Sequence, residues 1–253
     1  MKYFVSGDIH GFFDEWMVAL KEKQFNIDDK NHKIIVCGDL FDRGCGAKEL
    51  SDFVMDLIKK DKIILVRGNH EDLALELIDN YVNYMFHVRD THHYHNGTFQ
   101  TLLDLTGMSF NDATTCLLEF KRRARQTDYI KNIIPRMKNF YETNRYVFVH
   151  AWIPIKEDAY EFDKGWREAS DKLWQKARWL NPLIAYNLEL YPKGKTLVFG
   201  HWHCSAFWAN ADPKKFSEFG DNACYEPYIT KDIIALDART VVSKKVNVVV
   251  IED

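Results

Sequence analysis

The sequence predicts an α/β fold, and three observations lead to that prediction. Short apolar runs rich in β-branched or aromatic residues recur along the chain, and each opens into a polar loop. Helical periodicity follows the first three loops. The 253 residues are 46% hydrophobic, which is enough to bury a substantial core. In such folds, ligands bind in the loops at the carboxyl ends of the strands.

Three strand, loop and helix units make up the first part of the chain. The predicted strands end in the loop sequences GDIHG, GDLFDRG and RGNHE, and they lie at residues 3–5, 34–37 and 63–66. Apolar residues at helical spacing follow each loop, within residues 13–20, 50–58 and 73–78. We therefore expect the three loops to meet at one edge of a sheet.

The strand signal disappears between about residues 81 and 141. Apolar residues at 99–103 and 117–120 indicate helices, and the basic stretch KRRAR follows at 121–125. We predict a helical insertion that covers the site. The basic stretch is typical of a solvated helix face, and attraction of a phosphorylated substrate is the alternative.

Strands return in the second part of the chain. Runs at 146–149 and 197–199 end in FVHA and GHWH, and the tail after residue 233 predicts two strands joined by a turn around residues 243–245. The sequence contains no internal repeat, Gly/Ser linker or low-complexity tract. We therefore predict one domain over residues 1–253.

The composition of the chain indicates which binding partners and which cellular compartment to expect. The formal net charge of -3 gives no global electrostatic reason to bind nucleic acid or an anionic membrane, and no segment approaches a membrane span. Five cysteines without a CxxC pair favour a reducing compartment. We expect a cytoplasmic protein without a membrane partner or a stable nucleic-acid partner.

Seven side chains in the five polar loops can coordinate a metal. They are two carboxylates, four imidazoles and one amide: Asp8, Asp39, His10, His150, His201, His203 and Asn69. This mixed set suits Mn, Fe or Zn, whereas an all-oxygen site would suit Mg or Ca. Seven donors exceed the needs of one ion, so a pair of ions sharing a bridging carboxylate is the economical arrangement.

The order and spelling of these loops resemble the calcineurin-like metallophosphoesterases, and within them the bacterial and phage branch of the phosphoprotein phosphatases. GDIHG, GDLFDRG and RGNHE match that branch's three signature boxes almost letter for letter, and FVHA and GHWH complete the set. The resemblance implies a four-layer sandwich, with two central mixed β-sheets flanked by helices.

The resemblance also implies a role for each ligand. Asp8, His10 and His203 would hold one ion, Asp39 would bridge, and the second ion would be held by Asn69, His150 and His201. The cofactor is then two divalent ions, with Mn predicted and Fe, Zn or Co also accepted by these ligands. The family usually has one His in its last metal box, so the second His of GHWH leaves the substrate open.

Three further residues fall where the family keeps catalytic groups that do not bind metal. A hydroxide between two divalent ions is a nucleophile at neutral pH and attacks phosphorus in line. Arg43 can present its planar fork to the phosphoryl oxygens, and His70, oriented by Asp42, can protonate the leaving oxygen. An alternative is that Arg43 and Asp42 merely pair with each other.

Weaker assignments complete the candidate site. Arg178 ends LWQKAR, which resembles a segment whose Arg helps to bind phosphate in bacterial phosphatases, and Asn69 is also expected to face the substrate. A salt bridge is the alternative for Arg178. Asp237 is expected to support the metal histidines, and Glu71 to act as a loop or helix-capping residue. Aromatic residues between 206 and 228 favour plain packing over a lid.

The predicted function is hydrolysis of a phosphomonoester, on phosphoserine and phosphothreonine in proteins and on small aryl phosphates. One alternative is hydrolysis of a dinucleoside polyphosphate, because diadenosine tetraphosphate hydrolases resemble the same three boxes. Another is a phosphodiesterase or nuclease, favoured by His203. A scaffold without catalysis is the remaining alternative, although all seven ligands, Arg43 and His70 are present.

Overall fold

The computed structural model describes residues 1–156 and 161–253. The described strands are β1 (Lys2–Ser6), β2 (His32–Val36), β3 (Ile63–Leu65), β4 (Tyr141–Glu142), β5 (Tyr146–Phe148), β6 (Ile155–Lys156), β7 (Glu161–Phe162), β8 (Thr196–Phe199), β9 (Tyr228–Ile229), β10 (Ile233–Ala235) and β11 (Val249–Glu252). The described α-helices are α1 (Phe13–Glu22), α2 (Ala47–Lys59), α3 (Asn69–Tyr84), α4 (His92–His95), α5 (Thr98–Thr106), α6 (Phe110–Thr115), α7 (Leu117–Gln126), α8 (Asp171–Ala177), α9 (Pro182–Asn187), α10 (Cys204–Ala211) and α11 (Thr240–Ser243). Short 3-10 helices lie at Met85–Asp90, Ile134–Arg136 and Trp166–Glu168, and a π-helical turn at Tyr129–Ile133.

Two mixed sheets form the centre of the molecule. The first has the order β11-β1-β2-β3, with β1, β2 and β3 parallel and β11 antiparallel to β1. The second has the order β4-β5-β8-β10-β9, in which β5, β8 and β10 are parallel and the two edge strands are antiparallel. A separate two-stranded ribbon pairs β6 with β7.

Three apolar layers hold these sheets and the helices together. Val5 and Cys37, on the side of the first sheet, pack with Phe148 and Val198 of the second, which forms the layer between the sheets. On the outer face of the first sheet, the helices from α1 to α7 bury a second layer around Trp16. The third layer lies outside the second sheet. Its large buried side chains include Trp152, Trp166, Trp174 and Phe207. The predicted four-layer α/β fold is confirmed.

The parallel strands point their carboxyl ends toward the same edge of the two sheets. Within the first sheet, Asp8 donates its backbone N–H to the oxygen of Gly38 over 3.2 Å. Within the second, Gly200 donates to the oxygen of His150 over 2.8 Å. The five polar loops therefore converge at one edge, as the alternation of strands and helices predicts.

The chain from Met85 to Arg136 is helical, and the basic stretch at 121–125 lies on α7. Its Arg122 and Arg123 both pair with Glu119, and Arg125 pairs with Asp79 at 2.9 Å. The three arginine side chains are about half exposed or more. The contacts are those of a solvated helix face.

The tail departs from the predicted hairpin. β10 and β11 belong to different sheets, and the short helix α11 lies between them. The reason is that β1 has a free edge that β11 covers, with Lys2 opposite Glu252 and Val5 opposite Val249. The segment between the strands is thus a crossover from one sheet to the other, and the expected turn at residues 243–245 falls at the end of α11.

Candidate metal centre

The loops at this edge have an unusual backbone. Six residues other than glycine adopt the left-handed conformation there, with φ between 50° and 77°: Asp8, His10, Asp39, Asp42, Arg43 and His201. Each such residue costs on the order of 1 kcal/mol or more, and such residues cluster at functional sites. All six are among the sequence-predicted site residues.

Asp39 lies at the centre of the candidate site. Its Oδ1 is 3.5 Å from His150 Nε2, while its Oδ2 is 3.7 Å from His10 Nε2 and 3.8 Å from His70 Nε2. Burial disfavours the carboxylate, but the surrounding imidazoles outweigh burial and hold the pKa of Asp39 well below its usual range. One carboxylate thus faces two groups of donors, which is the geometry that a bridging ligand requires.

His150, His201 and Asn69 form the group on one side of Asp39. His150 Nε2 is 2.7 Å from Asn69 Oδ1 and 3.2 Å from His201 Nδ1, which is itself 3.2 Å from the same amide oxygen. Burial lowers the pKa of both histidines, that of His201 to about 3. Neutral imidazoles with converging lone pairs are the form that binds a cation.

His10 and Asp8 lie on the other side. His10 Nδ1 is 2.9 Å from the backbone oxygen of Phe41, which leaves Nε2 toward Asp39. Both Asp8 oxygens accept the backbone N–H of His201, at 2.9 and 2.8 Å. Burial, together with Asp237 and Asp39, raises the pKa of Asp8 well above its usual range. Crowded buried carboxylates of this kind fit a site that receives cations.

His203 does not join this group in the structure. Its Nε2 is 3.0 Å from Glu218 Oε1, and its ring stacks on Trp202 with the ring centres 5.7 Å apart. His203 precedes α10, and Glu218 comes from the aromatic segment that follows that helix. The structure therefore brings five of the predicted ligands together, namely Asp39, His10, Asn69, His150 and His201. Asp8 contacts the backbone of His201, and His203 faces Glu218.

His70, Asp42 and Arg43 form a chain of contacts beside Asp39. His70 Nδ1 is 2.6 Å from Asp42 Oδ2, and Arg43 Nη2 is 3.0 Å from His70 Nε2. The other Arg43 nitrogen, Nη1, is 2.6 Å from His10 Nε2. Burial disfavours the imidazolium of His70, but Asp39 and Asp42 outweigh burial and raise the pKa of His70. The guanidinium of Arg43 therefore contacts the rings of His10 and His70. It does not form the ion pair with Asp42 that was the alternative expectation.

Two threonines support Asp42, and the sequence did not single them out. Thr98 Oγ1 donates to Asp42 Oδ2 over 2.7 Å, and the Asp42 N–H donates to Thr101 Oγ1 over 3.1 Å. Both lie in the first turn of α5 and are buried. The sequence feature that could have indicated these threonines is an Asn-Gly turn followed by two threonines three residues apart. That the threonines contact Asp42 is evident only from the fold.

Glu71 joins the second and third loops. Its Oε1 accepts the N–H of Leu40 at 3.0 Å, and its Oε2 accepts those of Asp39 and Gly68 at 3.1 and 2.7 Å. The side chain is fully buried. It satisfies backbone groups of two loops, which agrees with the loop role among the two that were expected.

Arg178 and Asp237 lie next to the centre. Arg178 is buried and donates to both Asp72 oxygens, at 2.7 and 3.2 Å, and to Asn139 Oδ1 at 2.9 Å. Its charge helps to lower the pKa of His150. Asp237 accepts the N–H of Arg239 over 2.7 Å, and burial raises its pKa. The structure therefore places Arg178 in a buried ion pair with Asp72, which is the alternative expected for it.

Comparisons with known proteins agree on the family and differ on the substrate. A family model described as calcineurin-like phosphoesterase matches residues 1–205. Serine/threonine-protein phosphatase 2 of Salmonella typhimurium is 28% identical over 198 residues, which is 78% of each chain. The match to bis(5'-nucleosyl)-tetraphosphatase PrpE of Anoxybacillus flavithermus is 37% identical over 78 residues and spans less than a third of either protein, 28% of this chain and 32% of PrpE.

Solved structures with the same fold have distant sequences. A cold-active protein-tyrosine phosphatase of a psychrophilic Shewanella superposes with a TM-score of 0.54 at 17% identity, covering all of this chain and 75% of that one. A structure described as that of a diadenosine tetraphosphatase gives 0.50 at 14% identity over 98% and 88% of the two chains. Among the helices of the described residues, none is both long and apolar enough to span a membrane.

Proposed function

Because the chain belongs to the calcineurin-like phosphoesterase family and is a metal-dependent phosphoester hydrolase, we propose that it is a phosphomonoesterase that acts on phosphoserine and phosphothreonine. The observation that carries the proposal is the His70–Asp42 pair, which lies beside Asp39 with the guanidinium of Arg43 at its outer nitrogen. A serine or threonine alkoxide is a poor leaving group, so its departure needs a positioned proton donor.

The chain's own residues supply that proton and the binding of the phosphoryl group. Asp42 holds His70 through Nδ1, so Nε2 is the atom that gives the proton to the leaving oxygen. Arg43 contacts His70 Nε2 with one nitrogen and His10 Nε2 with the other. We propose that its fork exchanges these contacts for two phosphoryl oxygens when substrate binds, with Asn69 facing the same group.

The donor set fits two divalent cations. We propose that Asp8 and His10 hold one, that Asn69, His150 and His201 hold the other, and that Asp39 bridges them. Bound there, the ions would lower the pKa of a water that attacks phosphorus in line and would neutralise phosphoryl charge. Mn is our proposed activating metal, and Fe, Zn or Co would suit the same ligands.

His203 bears on the choice of substrate. The resemblance implies that His203 holds the first ion together with Asp8 and His10, whereas its contact with Glu218 leaves that site with Asp8, His10 and Asp39. This placement favours a monoesterase over a phosphodiesterase. We therefore propose that His203 packs against Glu218 and does not bind metal.

Hydrolysis of a dinucleoside polyphosphate is the second candidate. The short matches to bis(5'-nucleosyl)-tetraphosphatases of Anoxybacillus flavithermus and Buchnera aphidicola favour it, at 37% and 38% identity. Arg178 would then serve a distal phosphate, provided that it leaves Asp72. The longer alignment with the protein phosphatase, over 78% of the chain, favours the first candidate.

A comparison of leaving groups tests the proposal. Mn-loaded protein should hydrolyse a phosphoserine peptide faster than diadenosine tetraphosphate or an aryl phosphodiester. His70→Asn should lower kcat on the peptide by about 100-fold or more, and should lower it much less on an aryl phosphate, whose leaving group needs little protonation. The matched control is His95→Asn, an exposed histidine on α4 that should leave both rates unchanged.

Two results would overturn this assignment. An equal loss on both esters would remove His70 from the proton-donor role, and preference for diadenosine tetraphosphate would move the function to the second candidate. Absence of hydrolysis of every ester by protein that retains its ions would reject the proposed activity.

A further inference from the structure

A second group of potential ligands lies away from the loops at the sheet edge. Glu76 of α3 and the adjacent His92 and His93 of α4 present one donor atom each, all within 4.8 Å of one another. His92 Nε2 is 3.8 Å from Glu76 Oε2, and His93 Nε2 is 3.9 Å from Glu76 Oε1. Two imidazoles from one helix thus converge on the two oxygens of one carboxylate from another.

His93 is the unusual member of this group. Its side chain is completely buried, and neither ring nitrogen has a hydrogen-bond partner among the residues that the structure describes. A buried polar atom without a partner costs about 1 to 3 kcal/mol, so two such atoms need an explanation. Burial, with His92 next to it, lowers the pKa of His93 to about 4, although Glu76 and Asp42 oppose that shift. The ring is therefore neutral at pH 7, with a lone pair available.

The three donor atoms lie somewhat farther apart than the ligands of a bound transition metal. Zinc ligands at about 2.0 to 2.2 Å in a tetrahedron lie roughly 3.4 Å apart. The three atoms here are all within 4.8 Å of one another, so side-chain rotation has to bring them together when the ion binds. Tyr84 donates its hydroxyl to Glu76 Oε1 over 3.1 Å and so orients the carboxylate. The side chains of Glu76 and His92 are about half exposed, which gives a cation access from solvent.

We propose that Glu76, His92 and His93 bind a divalent cation of the zinc type, in addition to the ions at the sheet edge. Two imidazoles and one carboxylate are a common three-ligand set for zinc, with a fourth position left to water. The bound ion would satisfy the buried His93 nitrogen and would neutralise Glu76.

The site would fix α4 to α3. Beyond α4 the chain passes through Gly97, whose φ of 87° brings its backbone against Arg43, and reaches Thr98, which holds Asp42. A cation at Glu76, His92 and His93 thus stabilises the segment that supports the His70–Asp42 pair. Its role is structural, because its ligands do not contact the proposed phosphoryl site.

Metal counting on the full chain tests this site. Equilibrium dialysis against Zn²⁺, followed by measurement of bound metal, should show that His92→Ala and Glu76→Gln each hold one ion fewer than the unmodified protein. Glu76→Gln keeps a side chain that Tyr84 can still contact, and His92 is half exposed, so neither change opens a buried cavity. His95→Ala, on the same helix, should bind as many ions as the unmodified protein.

Hydrogen exchange supplies a second readout that the sheet-edge ions do not control. With Zn²⁺ present, amides at residues 91–101 should exchange several-fold faster in His92→Ala than in His95→Ala. Equal metal content in folded His92→Ala and in the unmodified protein would refute the site, whatever the activity of either. Because the comparison counts a difference of one ion, it stays informative even if the proposed hydrolase activity fails.

Discussion

Single side chains at the sheet edge are held by partners from distant parts of the chain. Asp42 is supported by Thr98 and Thr101, and Glu71 accepts three backbone N–H groups from two loops. Asp42 and His70 were predicted because their loop sequences resemble the signature boxes of the phosphoprotein phosphatases. The contact of Thr98 with Asp42 and those of Glu71 with Asp39 and Leu40 could not be predicted, since they join residues separated by tens of positions.

The substitution Glu71→Gln tests the importance of the two acceptor oxygens. The amide nitrogen of the new side chain would face at least one backbone N–H, which leaves a buried donor without a partner. We expect a loss of about 1 to 3 kcal/mol in the free energy of unfolding, measured by urea denaturation. Glu22→Gln, at an exposed site at the end of α1, is the control and should have no effect. Equal stability of the two variants would show that these three contacts contribute little.

At the scale of elements, the site depends on a close approach between the two sheets. Gly200 follows β8 and its Cα lies close to where a side chain on Gly7, after β1, would stand. Both oxygens of Asp8 reach the N–H of His201 across this gap. The alternation of strands and helices in the sequence predicted that these loops meet. It could not predict that β11 pairs with β1, because the sequence of an apolar strand does not indicate which of two sheets the strand joins.

Gly200→Ala should damage this junction. A Cβ on residue 200 would overlap Asp8 Oδ2, so the Asp8 carboxylate or the loop must move. We expect a loss of about 2 kcal/mol in unfolding free energy, and weaker retention of metal in dialysis. The control is Gly165→Ala, where the nearest atom to an added Cβ is Asp163 Oδ1 at an ordinary 3.5 Å. If both variants keep their metal and their stability, the close contact at Gly200 is not required for metal binding or for folding.

Across the whole molecule, ion pairs connect segments in addition to the apolar core. Glu142 of β4 accepts from Arg167 Nε over 2.8 Å and lies 2.8 Å from Lys195 Nζ, just before β8. These two cations lower the pKa of Glu142 to about 2, with the hydrogen bond from Arg167 as the main cause. The second sheet is therefore fastened to the 3-10 helix beyond β7 by charge.

The stabilisation from Glu142 should depend on pH in a defined direction. Because its pKa is lower in the folded protein than the usual 4.5, its contribution is complete above about pH 4.5 and is lost as the pH falls toward 2. Glu142→Gln should lower the unfolding free energy by on the order of 1 kcal/mol at pH 7, since the side chain is partly exposed. The difference in Tm from the unmodified protein should shrink between pH 4.5 and pH 3. The exposed Glu49→Gln is the matched control, and a Glu142→Gln difference that is constant with pH would contradict this role.

The pairing of β1 with β11 has a consequence for folding during synthesis. β1 leaves the ribosome well before its partner at Val249–Glu252, which is translated about 250 residues later. At roughly 5 to 20 residues per second, the outer edge of β1 waits on the order of ten seconds or more for that strand. An unpaired strand edge can join another chain, so this interval is when the nascent protein is most prone to aggregation. Slower initiation or lower temperature during production should therefore raise the yield of folded protein more than changes to the finished fold would.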